Sequence, residues 1–386
     1  MAPIRVGIIG LSSVTTNIPG RAGTSKDGWA ASGHLPALLA SPNYEIVALC
    51  NTSVKSAQAA VERHGLPSTT KTYGDPEDLA KDPDVDLVVC SVRVDRHYHL
   101  TMPSLKAGKD AFVEWPLGSN LQQAEEMLAT AKISGSKTIV GLQARTNPFI
   151  HKVKDLVESK AIGNLLSSNI IFDTGFPGDS EIPGVDFMTK KEVGANFFTI
   201  LFSHVADPAF YALGGLEDVS ALLTTRWPDT KLFHPDGRFD KWIKRETPDH
   251  MIMHGTLSNN AAPISIFVRN GKSFKDTPNL TWRVFGTKGE IRFTANAAPN
   301  IGLDGQKIEL FDHEKDAVEV IEVEYDDKVK DLPPLAKNIG ALYELFATGG
   351  TVEQGLVGFE EAVGMHRIID KMEKSSEGGK KEKIAK

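Results

Sequence analysis

The first 145 residues alternate between short, almost unbroken apolar runs and longer amphipathic stretches. Ile4–Gly10 (IRVGIIG), Tyr44–Cys50 (YEIVALC), Val85–Ser91 (VDLVVCS), Ala111–Glu114 and Thr138–Leu142 place apolar, often β-branched residues at successive positions, as in strands buried on both faces. Between them the spacing predicts helices at Gly33–Leu39, Ser53–His64, Asp75–Ala80, Arg96–Ala107 and Asn120–Ser134. Ser53 and Asn120 read as N-caps and Gly108 as a stop. This alternation implies right-handed βαβ units and a doubly wound parallel sheet over residues 1–145, an α/β fold.

After Arg145 the rhythm changes. A helix (Phe149–Lys160), a long strand (Leu165–Asp173) and a mixed stretch (Glu192–Leu213) lead to Gly214-Gly215. Strand then follows strand: Val219–Trp227, His250–Ser258, Ala262–Arg269, Leu280–Gly286, Glu290–Thr294, Lys307–Phe311 and Ala317–Tyr325. This predicts a second α/β domain over 146–374, with a large, mostly antiparallel open sheet and a final amphipathic helix, Phe359–Glu373. The polar, glycine-containing end, residues 375–386 (SSEGGKKEKIAK), reads as a flexible tail. Alternating apolar positions in Ala262–Arg269 and Leu280–Gly286 leave one sheet face uncovered, so a homodimer through that sheet is expected.

Composition narrows the class. The 386 residues are 41% hydrophobic and 24% charged, which is globular rather than disordered. A net charge of −7 argues against direct nucleic-acid binding. No apolar run approaches the ~20 residues that cross a bilayer. A strand pattern beginning at Ile4 leaves no room for a signal peptide, so the expected compartment is cytoplasmic. Cys50 and Cys90 lie inside apolar runs and read as buried free thiols, so no metal site is expected.

The candidate chemistry begins where the first strand ends, at Gly7-Ile-Ile-Gly10-Leu-Ser12. A dinucleotide fold needs a glycine turn here, so that backbone N–H groups meet the pyrophosphate. The GxGxxG spacing is incomplete: from Gly10 its next two glycine positions fall on Ser12 and Thr15. The Ser12–Gly28 stretch is either a plain surface loop or an enlarged phosphate loop, with Ser12, Ser13, Thr15 and Thr16 offering hydroxyls. After the second strand, Asn51 stands where an acid would bind the adenosine ribose. With no carboxylate to repel a 2′-phosphate, and with Thr52, Ser53 and Lys55 at hand, NADP is expected ahead of NAD; Ser53 also reads as a simple helix cap.

At this point the chain resembles the glucose–fructose oxidoreductase / inositol dehydrogenase (Gfo/Idh/MocA) family. The matching segments are IRVGIIGL, then His97 followed by LKAGKDAFVEWPL, then LQARTNPFI, FSHVADPAFYALGG, GTKGEIRF and GFEEAVGMHRIID. Within the family it is most similar to the branch of the fungal galactose-regulon repressor, through Gly28-Trp29-Ala30 before HLPALL, Glu114-Trp115-Pro116, Leu142-Gln143-Ala144-Arg145 and TPDHMIMHGTLSNNAAPIS. The resemblance runs from Pro3 to about Lys371. It implies a Rossmann domain, an α/β domain with an open sheet, a nicotinamide between them, and hydride transfer at a hydroxyl or carbonyl centre.

Residue by residue, the carry-over is mixed. Glu114 and Pro116 match a Glu-Lys-Pro motif whose lysine orients substrate and assists proton transfer, but Trp115 replaces that lysine. An indole N–H cannot titrate usefully, so Trp115 is expected to wall the nicotinamide pocket instead. His204 matches the family histidine and Asp207 the acid three residues on, while the family's catalytic acid falls on Ile200. His204 is the surviving acid–base candidate or else a packed core histidine. Arg145 either holds a substrate oxygen or pins a helix. His97 matches a position near the nicotinamide, and Val92, Glu114 and Gln143 complete the expected cofactor set, Glu114 being expected at the catalytic centre as well. Asp186, Lys190 and Lys191, on the long Gly175–Gly194 loop, are replacements for the missing lysine that no spacing argument separates.

Three functions follow. One is an NAD(P)-dependent oxidoreductase with rearranged proton transfer, acting on a carbonyl/hydroxyl or imine/amine centre. Another is a catalytically silent NAD(P)-binding regulator acting through a partner protein. A third is a non-redox enzyme, a lyase or cyclase, in the same cleft. The chain shows no added interaction module, which places the oxidoreductase first.

Overall fold

The computed structural model describes residues 2–12, 28–234, 236–300 and 305–384. In chain order the first elements are β1 (Ile4–Ile9), α1 (Leu35–Ala40), β2 (Tyr44–Cys50), α2 (Val54–Arg63), β3 (Lys71–Tyr73), α3 (Pro76–Lys81), β4 (Leu87–Cys90), α4 (His97–Lys106), β5 (Asp110–Val113), α5 (Leu121–Ser134) and β6 (Thr138–Val140). The next are α6 (Pro148–Glu158), β7 (Leu165–Asp173), β8 (Ser180–Glu181), α7 (Ser203–Leu213), β9 (Leu216–Thr224), β10 (Asp229–Phe233), β11 (Phe239–Lys244), β12 (His250–Leu257), β13 (Pro263–Arg269) and β14 (Leu280–Gly286). The last are β15 (Gly289–Ala295), β16 (Lys307–Asp312), β17 (Ala317–Ile321), α8 (Lys337–Ala347), α9 (Phe359–Gly378) and β18 (Glu382–Lys383). Among the described residues no helix is long and apolar enough to cross a membrane.

Two compact units emerge, and they are not consecutive halves of the chain. The first takes residues 1–143, 192–195 and 326–366; the second takes 144–191, 196–325 and 367–386. The first unit holds a six-stranded sheet in the order β3-β2-β1-β4-β5-β6, parallel throughout. Sequence pattern predicts five of these strands. The sixth, β3, is three residues long, too short to show periodicity. Ser53 and Asn120 cap α2 and α5 through their side chains, as predicted. One face of the sheet is closed by α1 and by the unpredicted α8, whose Ile339, Leu342 and Tyr343 join Val6, Ile8, Leu38 and Phe112 in one core.

The second unit holds a nine-stranded sheet, β17-β16-β15-β14-β7-β13-β12-β9-β18, antiparallel except for β7 beside β13. A small sheet, β11-β10-β8, accompanies it. Burial alternates along the central strands: Met251, Met253, Ile264, Ile266, Trp282 and Val284 are buried, while Ile252, Leu222, Ile171 and Phe285 are exposed.

The expected flexible tail is structured as far as residue 384. α9 runs on to Gly378, and Ser375 and Ser376 accept the N–H groups of Ala221 and Leu223. β18 then pairs antiparallel with the start of β9, where Lys381 and Lys383 meet Asp218 and Glu217 at 3.3 and 2.8 Å. The basic composition that suggests solvation is matched by an acidic strand edge.

Candidate functional site

The strand order reverses between β1 and β4, and the expected ligand position lies outside their carboxyl ends. Gly10 stands just past β1 at φ +102°, and a Cβ there would lie 2.5 Å from the Ser91 carbonyl oxygen and against the half-buried Val92. Glycine is thus required for β1 to leave the sheet beside β4. At Gly7 a Cβ would sit 3.0 Å from Leu79 and 3.1 Å from Val85, so its bareness also serves helix packing. Ser12 is half-buried, and His64 Nε2 donates to its carbonyl oxygen at 2.8 Å. Ser13, Thr15 and Thr16 lie outside the described residues.

After β2, Asn51 Nδ2 donates to the carbonyl oxygens of Leu11 at 2.9 Å and Ser56 at 3.3 Å. The amide thereby ties the exit of β1 to the start of α2. Ser53 is engaged in a capping box with Ser56. Thr52 and Lys55 are exposed beside it. His97 is buried with Nδ1 2.9 Å from the Pro116 carbonyl oxygen and Nε2 3.0 Å from that of Val92. Burial pushes its pKa down, and the ring clamps the loops that follow β4 and β5. Gln143, just past β6, is buried. Cys50 and Cys90 are buried free thiols, raised to about 11 and about 12 by desolvation, and so are unreactive.

Glu114 follows β5. Its Oε1 lies 2.9 Å from His34 Nε2, and His34 Nδ1 lies 2.9 Å from the Tyr343 hydroxyl. A π-helical turn, Ala30–His34, delivers His34 from ahead of α1, a feature that recurs at functional sites. Gly141 makes room for the carboxylate, since a Cβ there would come within 2.5 Å of Oε2. Trp115 is 5% exposed and packs on His366 of α9, ring centroids 4.7 Å apart. His366 is driven to about 3 by burial, and its Nε2 meets no partner among the described residues.

In the second unit Arg145 and Asp207 form a bidentate pair, Nε to Oδ2 at 2.9 Å and Nη2 to Oδ1 at 2.6 Å. Their side chains are 12% and 1% exposed. This occupies both carboxylate oxygens and ties Arg145 to α7, over the Tyr211 ring at 5.5 Å. Asp207, expected at the catalytic centre, has both its carboxylate oxygens on Arg145. His204 is buried near the start of α7, a helix almost wholly buried, and Ile200 lies in the π-helical turn Phe198–Phe202 just before it. The loop bearing Asp186, Lys190 and Lys191 is fastened by Glu181–Arg245 at 2.9 Å and by Thr247 Oγ1 donating to the Met188 carbonyl oxygen. Lys190 pairs with Glu246 at 3.3 Å, and Asp186 Oδ1 accepts the Gly184 N–H.

Sequence reasoning misses His34, Tyr343 and His366. The HLPALL and GMHRIID motifs contain two of them, but spacing does not reveal that either meets Glu114 or Trp115.

Comparison with known proteins completes the description. Residues 22–142 match the model of the oxidoreductase family with an NAD-binding Rossmann fold, and residues 148–295 match that of the Gal80p C-terminal domain. The chain is 30% identical to dehydrogenase aclE of Aspergillus oryzae, over 97% of this chain and 97% of the relative. It is also 30% identical to the galactose/lactose metabolism regulatory protein GAL80 of Saccharomyces cerevisiae, over 77% of this chain and 68% of that protein. A crystal structure of a super-repressor mutant of Gal80p from Saccharomyces cerevisiae superimposes with a TM-score of 0.86 at 26% identity, covering 99% of this chain and 98% of that one.

Proposed function

The chain belongs to the Gfo/Idh/MocA oxidoreductase family, close to its Gal80 branch, and on that premise we propose that it is a nicotinamide-dinucleotide-dependent oxidoreductase acting on a carbonyl/hydroxyl or imine/amine centre. The observation that carries this reading is the β1/β4 reversal at Gly10 with a carboxylate, Glu114, held one strand further on. Similarity to a dehydrogenase along nearly the whole chain supports it.

The residues present fit a dinucleotide. The Gly10 turn and Ser12 would hold its phosphates, and the exposed Thr52 and Lys55 its adenosine ribose and 2′-phosphate. On that donor set NADP(H) is preferred to NAD(H). The bound dinucleotide supplies the hydride donor or acceptor. Trp115 contributes apolar bulk and excludes water but moves no proton. His204 moves the proton at the substrate heteroatom, because Asp207 is already paired with Arg145. The buried thiols suit a reducing, cytoplasmic setting.

Two copies would pair through the open sheet. Leu222, Ile252, Phe267 and Ile171 lie in register across β9, β12, β13 and β7 and form an apolar row. Light scattering that returned a 41.9 kDa monomer at micromolar concentration would remove that idea.

A second reading is a dinucleotide-binding regulator without turnover. The closed Arg145–Asp207 pair and the packed Trp115 favour it. One assay separates the two: consumption of NADPH and of NADH with a panel of aldehydes, ketones and imines. The oxidoreductase reading expects turnover, faster with NADPH, and a fall of about 10²–10⁴-fold in kcat for His204→Ala with little change in dinucleotide affinity. Tight dinucleotide binding with no turnover selects the regulator. Turnover indifferent to His204→Ala removes that histidine as the acid.

A further inference from the structure

The Tyr343–His34–Glu114 chain has a direction. The Tyr343 side chain is fully buried, and burial holds its phenol proton far above the ordinary range, so the hydroxyl has one proton to donate and needs one acceptor. His34 Nδ1 is the acceptor within reach, at 2.9 Å. If Nδ1 carried a hydrogen instead, it would donate to the Tyr343 hydroxyl oxygen, and the buried phenol proton would lose its acceptor. The imidazole hydrogen therefore sits on Nε2 and points at Glu114 Oε1, 2.9 Å away. A ring donating there requires an acceptor, which Glu114 Oε1 provides. Gly141 closes the floor beneath both carboxylate oxygens. Glu114 keeps an accessible edge, its side chain being 12% exposed.

Glu114 stands past β5, on the far side of β4 from β2. In this strand order the adenosine half of a dinucleotide belongs at β2 and the nicotinamide half on the other side of the reversal. An acceptor-only group there suits a hydroxyl donor.

We propose that His34 is a positioning residue: with Tyr343 fixing its tautomer, it orients the Glu114 carboxylate to accept a ribose hydroxyl from the nicotinamide half of a bound dinucleotide. The proposal rests on the dinucleotide reading above. It also gives the late segment carrying α8 a place in the site.

The test is titration calorimetry of the full chain with NADPH and NADH, beside thermal melting without ligand and 15N shifts of the His34 ring. His34→Leu removes both hydrogen bonds, and dinucleotide affinity should fall about 10–100-fold, the effect of losing a well-aimed charged hydrogen bond. His34→Gln keeps the order of donors, its amide N–H facing Glu114 and its oxygen facing Tyr343. It should stay within about threefold of the wild type even if its melting temperature drops. Tyr343→Phe keeps the ring volume and should weaken binding by about 2–10-fold. The wild-type 15N shifts should report the Nε2–H tautomer.

Unchanged binding in His34→Leu, a loss in His34→Gln as large as in His34→Leu, or an Nδ1–H tautomer each overturns the relay while leaving the dinucleotide reading intact. Should the wild type bind neither dinucleotide, that reading falls and this one with it.

Discussion

Two carboxylates stand where the family resemblance places chemistry, and the two units hold them in opposite ways. Glu114 in the first unit meets an imidazole at one oxygen and keeps an accessible edge. Asp207 in the second unit is matched at both oxygens by the guanidinium of Arg145 and is almost wholly buried. A bidentate ion pair closes a carboxylate; a single hydrogen bond at one oxygen aims it. The same contrast extends outward. Around Glu114 are Tyr343, His34, Trp115 and His366, linked by hydrogen bonds and ring contacts. In the second unit Arg245 and Glu181 form another wholly buried ion pair, at 2.9 Å. Carboxylates of the same chemical kind thus differ in availability, and only the partner decides which is which.

The largest test of this contrast removes each carboxylate. Asp207→Ala takes the bidentate carboxylate from a mostly buried guanidinium and should cost about 3–5 kcal/mol in urea unfolding. Glu114→Ala leaves one imidazole N–H without its acceptor and should cost less, about 1–3 kcal/mol. Equal losses would break the comparison.

The next test uses acid. His366 is buried and titrates near 3 when folded, against an ordinary value of 6.5. Between those values the unfolded chain binds a proton that the folded chain refuses, so the unfolded state holds more protons and stability falls as pH drops. The slope approaches about 1.4 kcal/mol per pH unit, or roughly 2–3 kcal/mol between pH 6.5 and 4.5. His366→Phe should flatten the melting temperature over that range by the corresponding amount. An unchanged slope would show that the Trp115–His366 pair is not closed to protons.

Much of the first unit was legible because its signals are local. β-branched runs mark buried strands wherever they occur, and Ser53 and Asn120 cap helices through N–H groups two or three residues away. Asn51 shows where locality ends. Its position after β2 suggested a selectivity residue, yet its amide hydrogens are engaged by the Leu11 and Ser56 carbonyl oxygens. An Asn51→Asp exchange would therefore disturb the β1 exit as well as any 2′-phosphate. The tail departs from its composition for a related reason: Lys381 and Lys383 read as solvated in the sequence, but the acidic start of β9 lies opposite them.

By itself, then, the sequence determined the alternation that builds the parallel sheet, the strand-after-strand order of the second sheet, and the chemical kind at each inherited position: tryptophan at 115, isoleucine at 200, histidine at 204. Tertiary structure alone decided which groups meet. His34 reaches Glu114 across 80 residues and Tyr343 across 309. Periodicity and capping act over one or two turns of chain, whereas a hydrogen bond requires atoms within about 3 Å, however far apart in the chain they lie. Only the return of α8 to the first sheet brings those atoms together.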